Sequence, residues 1–367
     1  MIKKTIYLPG LNGIRGICAI AVVIYHTTLG LDFFGLDPHI LGTYKNGNPK
    51  SLEFARFAIS IFFVLSGFLI TYLLCKEKEV RQINLKKFYA RRILRIWPLY
   101  YAYIILCLIV CLIFGIDYLQ ESFLFYIFHG ANVPYVFGGS IVFLTHYWSL
   151  GVEEQFYLFW PMINKFKTRN ILLVSLLGIV IFMGLKIGLH LFTPGSKMEF
   201  FLHATRFHCI LIGCVAAILY YLNNSVFIKI ATNKFVQIIC WGMMLLALLN
   251  RFHIISFLDH EIISVVAVVI IIGQITKSSP ISLENRYLNF FGKISYGIYV
   301  IHPLIIFLIS KTITKITFIE SWNYVSVYFV ILFSTIVVAS LSYNYYESFF
   351  LRIKRKKFSV IRSNESF

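Results

Sequence analysis

Long apolar segments that recur from one end of the chain to the other constrain its fold more than any other feature. Hydrophobic residues make up 59% of the 367 residues and charged residues only 14%, whereas soluble chains have about 45–50% apolar and about 25% charged residues. So few charges cannot cover a surface that faces water. Because the apolar residues come in long runs and do not alternate with polar ones, we predict transmembrane helices and exclude a transmembrane barrel.

The runs predict an all-α, polytopic integral membrane protein with about ten transmembrane helices. The predicted spans are 13–31, 56–75, 96–115, 141–163, 171–192, 203–222, 234–250, 261–276, 290–310 and 324–346. The segment 117–134 is only partly apolar and contains glycine, asparagine and proline, so we predict an interfacial or re-entrant piece there. We assign residues 1–350 to one transmembrane domain and residues 351–367 to a short basic cytoplasmic tail.

The distribution of lysine and arginine predicts the orientation of these spans. If both termini are cytoplasmic, 25 of the 34 basic residues lie inside and seven lie outside or at outer span ends, with Lys186 and Arg206 within spans. This bias predicts a multi-pass protein of the inner (plasma) membrane with an even number of spans and both termini in the cytoplasm. The net charge of +18 then reflects orientation and contact with anionic membrane lipids, and we predict no nucleic-acid partner.

The seven cysteines lie in apolar segments and lack the spacing of metal ligands. We therefore predict buried free thiols and no metal site.

The first predicted span contains two ionisable residues, Arg15 and His26. Ionisable groups inside a membrane cost several kcal/mol, so each is a functional candidate. Eleven residues make about three helical turns, so both side chains project from one face, roughly 16 Å apart along the axis. An extended ligand could place an anionic end at Arg15 and a reacting end at His26. The alternative is a snorkelling arginine and a histidine bonded to neighbouring backbone.

Two further spans carry polar clusters. The fourth contains Glu153 and Glu154, whose side chains point about 100° apart on a helix, so one could orient a histidine while the other binds a polar substrate. The alternative is a pair of interhelical hydrogen bonds from protonated acids. The ninth contains Ser295, Tyr299 and His302 at i, i+4, i+7 spacing, which predicts one narrow face that is either functional or a hydrogen-bonded packing seam.

A basic segment precedes the third span. Its residues Arg91, Arg92 and Arg95 lie on a predicted amphipathic helix that Asn84 caps. Three guanidinium groups at the cytoplasmic mouth suit a phosphate-rich ligand. Attraction of lipid headgroups is the alternative reading.

Five short motifs follow one another along the chain. They are Leu11–Gly16 with the later His26, Phe62–Leu69, Arg91–Pro98, Trp148–Tyr157 and Ser295–His302. Together they resemble the acyltransferase-3 family of membrane-bound acyltransferases, in which an arginine precedes a histidine by eleven residues. This chain departs from the family pattern at Asn12, where aspartate is usual, and at His208, where an acid is frequent.

The resemblance implies transfer of an acyl group, usually acetyl, from cytoplasmic acyl-coenzyme A to a hydroxyl. The implied acceptor is a glycan or lipid-linked glycan of the bacterial cell surface, such as an O-antigen or exopolysaccharide. Acetyl-coenzyme A would be a donor substrate, and no cofactor would stay bound. The resemblance also implies a stand-alone member without an extracellular hydrolase-like domain.

The resemblance also implies roles for the candidate residues. His26 would be the general base or would carry the acyl group as an acyl-histidine, with Glu153 and Glu154 in the same catalytic site. The implied donor-binding residues are Arg15, Arg91, Arg92 and Arg95. The implied substrate-binding or supporting residues are Ser295, Tyr299 and His302.

Two other functions fit the same composition. A transporter or flippase of a polar or lipid-linked substrate would also need charges within the membrane, although its usual internal repeat is not found in this sequence. An acyltransferase that acts on a lipid or a small molecule is the second alternative.

The charge bias generates a test of the predicted topology. A reporter fused after Phe367 should lie in the cytoplasm, because the tail is the most basic flank next to the last span. Activity of an alkaline-phosphatase fusion at this position would show that the number of spans is wrong by one.

Overall fold

The computed structural model describes residues 6–44, 47–118, 120–255, 257–312 and 320–358, with side chains from residue 323 onward in the last range. The described residues form helices and connecting turns, with one isolated β-bridge between Thr43 and Pro49. The helices are α1 Leu11–Leu29, α2 Phe54–Val80, α3 Leu85–Phe114, α4 Phe123–Ile127, α5 Asn132–Phe137, α6 Tyr147–Ile163, α7 Thr168–Phe192, α8 Lys197–Thr205, α9 Phe207–Tyr221, α10 Ser225–Ala231, α11 Lys234–Leu248, α12 Asp259–Thr276, α13 Arg286–Thr312, α14 Glu320–Leu341 and α15 Ser348–Ile353.

The all-α, polytopic prediction is confirmed. In the described part of the chain, eight helical segments are long and apolar enough to cross a membrane, and α10 with α11, bent by 56°, makes up to nine. The fourth predicted span is shorter than expected: α6 has 17 residues. It begins at Tyr147 because the preceding residues form turns around Phe143, whose φ of 65° does not continue a helix.

Two further differences from the predicted layout have local causes. The sixth predicted span, 203–222, is broken at Arg206, whose φ of 45° separates α8 from α9. The segment 117–134 contains α4 and the start of α5, helices of 5 and 6 residues. Because helices this short cannot cross a membrane, they agree with the predicted interfacial or re-entrant piece.

The C-terminal helix runs through the predicted boundary between residues 350 and 351. Between α14 and α15 and again over Lys354–Phe358 the backbone is π-helical, so one rod continues to Phe358. Residues 359–367 of the predicted tail lie outside the described residues. All seven cysteines are buried and free, as predicted.

Small residues let the central helices pack closely. A Cβ atom on Gly213 of α9 would collide with the Val64 carbonyl of α2, and one on Gly292 of α13 would collide with the Asn12 carbonyl of α1. Without a hydrophobic drive between helices in lipid, such close backbone approach gives the dispersion contacts that hold a bundle together. The pairs α1–α13 and α2–α9 are accordingly the most extensive helix contacts.

The close approach of α2 and α9 generates a stability prediction. Gly213→Ala should destabilise the protein by about 1–3 kcal/mol, because the new methyl group meets backbone that cannot rotate away. The change should appear as a lower melting temperature of the detergent-solubilised protein. In the matched control Gly242→Ala, the methyl group meets no atom within 4 Å, and the melting temperature should stay or rise. Equal effects of the two variants would contradict the close contact.

Candidate active site

Two of the sequence-predicted residues, His26 and His302, meet at the contact between α1 and α13. Nδ1 of His26 lies 2.9 Å from Nε2 of His302, and the two rings stack with centroids 4.9 Å apart. His302 is fully buried, whereas His26 is half-buried. They are 276 positions apart in the sequence, and the close packing at Gly292 brings their two helices together.

The hydrogen bonds of this pair determine which nitrogen of each ring carries the proton. Nδ1 of His302 lies 3.1 Å from the Ile298 carbonyl, which can only accept, so Nδ1 of His302 is the donor. Nε2 of a neutral His302 is then an acceptor, and Nδ1 of His26 donates to it. The proton of a neutral His26 therefore sits on Nδ1, and Nε2 keeps its lone pair, with no hydrogen bond to the described residues.

A third histidine that the sequence analysis missed, His146, lies beside the pair. Its ring centroid is 5.3 Å from that of His302, and its Nε2 is 3.1 Å from the Val300 carbonyl. It immediately precedes α6 and is buried. Its position three residues before Ser149, at the edge of the Trp148–Tyr157 motif, is the signal that could have identified it. The described residues nevertheless contain no group that could hold a metal ion.

Tyr299 links the histidines to an internal cavity. Its hydroxyl donates to the His146 carbonyl at 2.8 Å, so the Ser149 hydroxyl, 2.6 Å away, donates to Tyr299. Ser149 and Tyr299 both line the cavity, and the Tyr299 ring lies 6.1 Å from that of His302.

The internal cavity, which we call the arginine cavity, has about 100 Å³ of free space between α1, α2, α3, α6 and α13. Its polar lining consists of Arg15, Ser66, Arg92, Arg95, Ser149, Glu153, Tyr157, Ser295, Tyr296 and Tyr299. Six sequence-predicted site residues, from four helices that lie far apart in the sequence, thus surround one space. Ser66 and Tyr157, which the sequence analysis did not select, belong to motifs that it quoted.

The adjacent carboxylates point to different surroundings, as their helical spacing predicted. Glu153 lines the arginine cavity and accepts from Ser66 at 2.6 Å and from Tyr157 at 3.2 Å. Glu154 accepts from the indole nitrogen of Trp97 at 3.1 Å, outside the cavity lining. Neither carboxylate is hydrogen-bonded to His26, whose partners are His302 and the Val22 carbonyl.

The three arginines of the basic segment also have different surroundings. Arg92 and Arg95 line the cavity, and the Arg92 guanidinium lies over the Tyr157 ring at 5.5 Å. Arg91 instead forms a 2.8 Å ion pair with Glu77 and donates to the Phe358 carbonyl at 3.2 Å, which ties α3 to α2 and to the C-terminal helix. Its predicted role in donor binding stays a prediction.

The buried charges of the other helices neutralise one another. Glu261 of α12 accepts from Lys186 at 2.6 Å and from His208 at 2.7 Å. His208, which stands where the family often has an acid, therefore contributes to a buried ion cluster between α7, α9 and α12. Such pairing lowers the cost of the charges inside the bundle.

Comparison with known proteins agrees with this geometry. Residues 8–344 match the model of the family described as Acyltransferase domain. The chain is 29% identical to O-acetyltransferase OatA of Staphylococcus aureus (strain NCTC 8325 / PS 47) and 28% identical to that of strain MRSA252, over 96% of this chain in each alignment. The aligned region is 58% of each relative's length, so the chain spans little more than half of these relatives. No solved structure matches it.

The family match covers nearly the whole described chain and includes every residue of the histidine pair and the arginine cavity. We conclude that the chain belongs to the acyltransferase-3 family of membrane acyltransferases.

Proposed function

We propose that this protein transfers an acetyl group from cytoplasmic acetyl-coenzyme A to a hydroxyl of a cell-surface glycan or lipid-linked glycan. The family and the names of its relatives support O-acetylation. The observation that carries the proposal is the hydrogen-bond chain from the Ile298 carbonyl through His302 to His26. It leaves Nε2 of His26 unprotonated, and an unprotonated imidazole nitrogen is what both acyl-transfer routes need.

In direct transfer, Nε2 of His26 removes the proton of the acceptor hydroxyl as its oxygen attacks the thioester carbonyl. The carbon–sulfur bond breaks, and coenzyme A leaves as a thiolate that takes up a proton. In the covalent route, Nε2 itself attacks the carbonyl, and coenzyme A leaves as a thiolate. The acceptor oxygen then attacks the acetyl group, the bond between the acetyl carbon and Nε2 breaks, and the hydroxyl proton passes to the thiolate. His302 is a positioning residue in both routes, because it holds the proton of His26 on Nδ1.

The arginine cavity supports a site for the donor. Arg92 and Arg95 would bind the phosphates of coenzyme A, since guanidinium groups match phosphate geometry with paired hydrogen bonds. Arg15 would hold the pantetheine or phosphate portion deeper in the cavity. The thioester would then reach the end of the cavity at Ser149 and Tyr299, beside the histidines.

Glu153 would shape this cavity rather than take the proton of the acceptor. Its two oxygens already accept from Ser66 and Tyr157. We place the protein in the plasma membrane with both termini in the cytoplasm, since the bias of basic residues puts Arg92 and Arg95 on the cytoplasmic side.

The proposal predicts a large loss of activity when His26 is replaced. His26→Ala should abolish acetyl transfer, and His26→Gln should lower it at least about 10²-fold, because glutamine cannot accept a proton at neutral pH. Release of coenzyme A per molecule of purified protein measures the effect. It also separates an acyltransferase from a transporter, which would release none. A His26→Gln protein that is active at normal yield would move the chemistry to Glu153, Glu154 or His302.

Variants of His302 test its positioning role in the same assay. His302→Gln supplies an oxygen that can accept from Nδ1 of His26, whereas His302→Leu supplies no acceptor. We expect His302→Gln to keep more activity per folded molecule than His302→Leu, with the loss in kcat rather than in KM for the donor. Equal losses at equal yield would contradict the positioning role.

The donor site generates a second prediction. The double variant Arg92→Ala, Arg95→Ala should raise the KM for acetyl-coenzyme A while leaving expression intact, and lysine at both positions should restore affinity only in part, because it lacks the bidentate fork. Lys86→Ala is a matched control, since Lys86 is an exposed cation on the same segment outside the cavity. Unchanged affinity for coenzyme A in the double alanine variant would reduce this segment to a lipid anchor.

A further inference from the structure

A second cavity lies at the opposite end of the bundle, where α2 and α12 begin and α11 ends. This histidine cavity, of about 470 Å³, is lined by Glu53, Arg56, Phe57, His203, Asn250, Arg251, Phe252, His253, Asp259 and His260. The predicted orientation puts this end of the bundle outside the cell, facing away from the donor.

Both acidic side chains of the histidine cavity already accept hydrogen bonds from the protein. Asp259 accepts from Nδ1 of His253 at 2.7 Å and from the backbone amides of Ile254 and Ile255 at 2.9 and 3.1 Å. Glu53 accepts from the Tyr44 hydroxyl at 2.5 Å. Both carboxylates therefore have partners before any ligand arrives.

The two arginines of the cavity, in contrast, have no such partners. Arg56 and Arg251 are both exposed, and their guanidinium groups form no hydrogen bond or ion pair with the described part of the chain. The cavity is thus lined by two guanidinium groups that have no carboxylate partner, while its carboxylates already accept hydrogen bonds from the protein.

His260 supplies a third hydrogen-bond donor, because its contact with Arg206 determines which of its ring nitrogens carries the proton. The Arg206 guanidinium lies 3.1 Å from Nδ1 of His260, and the Ser60 hydroxyl lies 3.2 Å from the same nitrogen. Because a guanidinium can only donate, Nδ1 is the acceptor and the proton of a neutral His260 sits on Nε2. His260 is 4% exposed, and its Nε2 has no partner among the described residues.

The backbone at Arg206 is arranged to hold this contact. Its φ of 45° is uncommon for a residue other than glycine. Its guanidinium is buried and also donates to the His203 carbonyl at 2.7 Å and to the Ser60 hydroxyl at 3.0 Å. Residues with such strained backbone cluster at functional sites.

The histidine cavity also lies close to the arginine cavity. Phe57 of α2 lines the histidine cavity. Ile59 and Phe62 of the same helix line the arginine cavity, about one helical turn away. The Arg206 guanidinium lies over the Trp148 ring at 5.9 Å, and Trp148 is the neighbour of Ser149 in the arginine cavity.

The reaction centre itself is tied to the rim of the histidine cavity. The Ser51 hydroxyl donates to the backbone carbonyl of Tyr25, the residue before His26, at 3.1 Å. Asn250, which lines the histidine cavity, donates to the Ser51 carbonyl at 2.9 Å. The rim of the histidine cavity is therefore hydrogen-bonded, through Ser51, to the segment that carries His26.

Resting on the proposed function, we infer that the histidine cavity binds an oxyanion of the acceptor glycan, a carboxylate or a phosphate, through Arg56, Arg251 and Nε2 of His260. Three donors around a space whose acids are occupied select a ligand that only accepts. The bound oxyanion anchors the acceptor while a nearby hydroxyl extends toward His26.

Direct binding to the purified full chain, without any acyl donor, tests this site. The probes are chitotetraose, which is neutral, a hyaluronan tetrasaccharide, which carries carboxylates, and a glycerol phosphate tetramer, which carries phosphates. We expect at least one anionic probe to bind at least about tenfold more tightly than chitotetraose by calorimetry, and its affinity to fall as salt rises. The probe that binds distinguishes carboxylate from phosphate.

The double variant Arg56→Gln, Arg251→Gln should reduce this preference to within about twofold. Lys50→Gln, Lys197→Gln is the matched control, because both lysines are exposed at the same end of the bundle outside the cavity lining, and it should keep the preference. Equal binding of the neutral probe, binding of none of the probes, or an unchanged preference in the double arginine variant would overturn the inference.

Two further experiments distinguish the remaining explanations of binding. Native mass spectrometry of protein from phosphatidylglycerol nanodiscs would overturn the inference if a lipid is retained and the double arginine variant loses it, since a headgroup would then occupy the cavity. His26→Ala should bind the anionic probe as wild type does. In the wild-type protein, probe binding without acetyl transfer would sink the proposed function alone, whereas acetyl transfer without probe preference would sink only this site.

Discussion

The packing of α1 against α13 is the contact on which the candidate active site depends. Backbone approach at Gly292 brings two helices from opposite ends of the chain close enough for His26 and His302 to share a hydrogen bond. A larger side chain at this crossing would separate the rings and leave both histidines unpaired in an apolar surrounding. The reactive nitrogen of His26 is thus defined by helix packing as much as by its own chemistry.

The cost of polar groups inside a membrane explains the rest of the arrangement. Most buried polar groups in the bundle have a partner, as in the cluster of Lys186, His208 and Glu261. The groups that the protein leaves without one stand out against this background. Nε2 of the half-buried His26 is of this kind, and under the proposed function the substrate would supply the missing partner.

The two cavities divide the bundle by depth. Under the proposed function, the donor would bind at the end that carries Arg92 and Arg95, and the acceptor at the end that carries Arg56 and Arg251. His26 and His302 lie between the two cavities. Tyr299 connects them to the arginine cavity, and Ser51 connects them to the histidine cavity. In the proposed function, this layout would let an acetyl group pass between the two cavities without passage of the whole donor.

The sequence by itself determined the membrane class, the approximate spans and the shared face of Arg15 and His26, because these follow from apolar run length and from helical periodicity, which are local properties. Only the tertiary structure decided that His302 orients His26, that His146 joins them, and that Glu153 faces the cavity while Glu154 faces Trp97. It also separated Arg91, paired with Glu77, from Arg92 and Arg95. These outcomes depend on how each helix is rotated and how closely it meets its neighbours. Spacing along one helix does not encode that information.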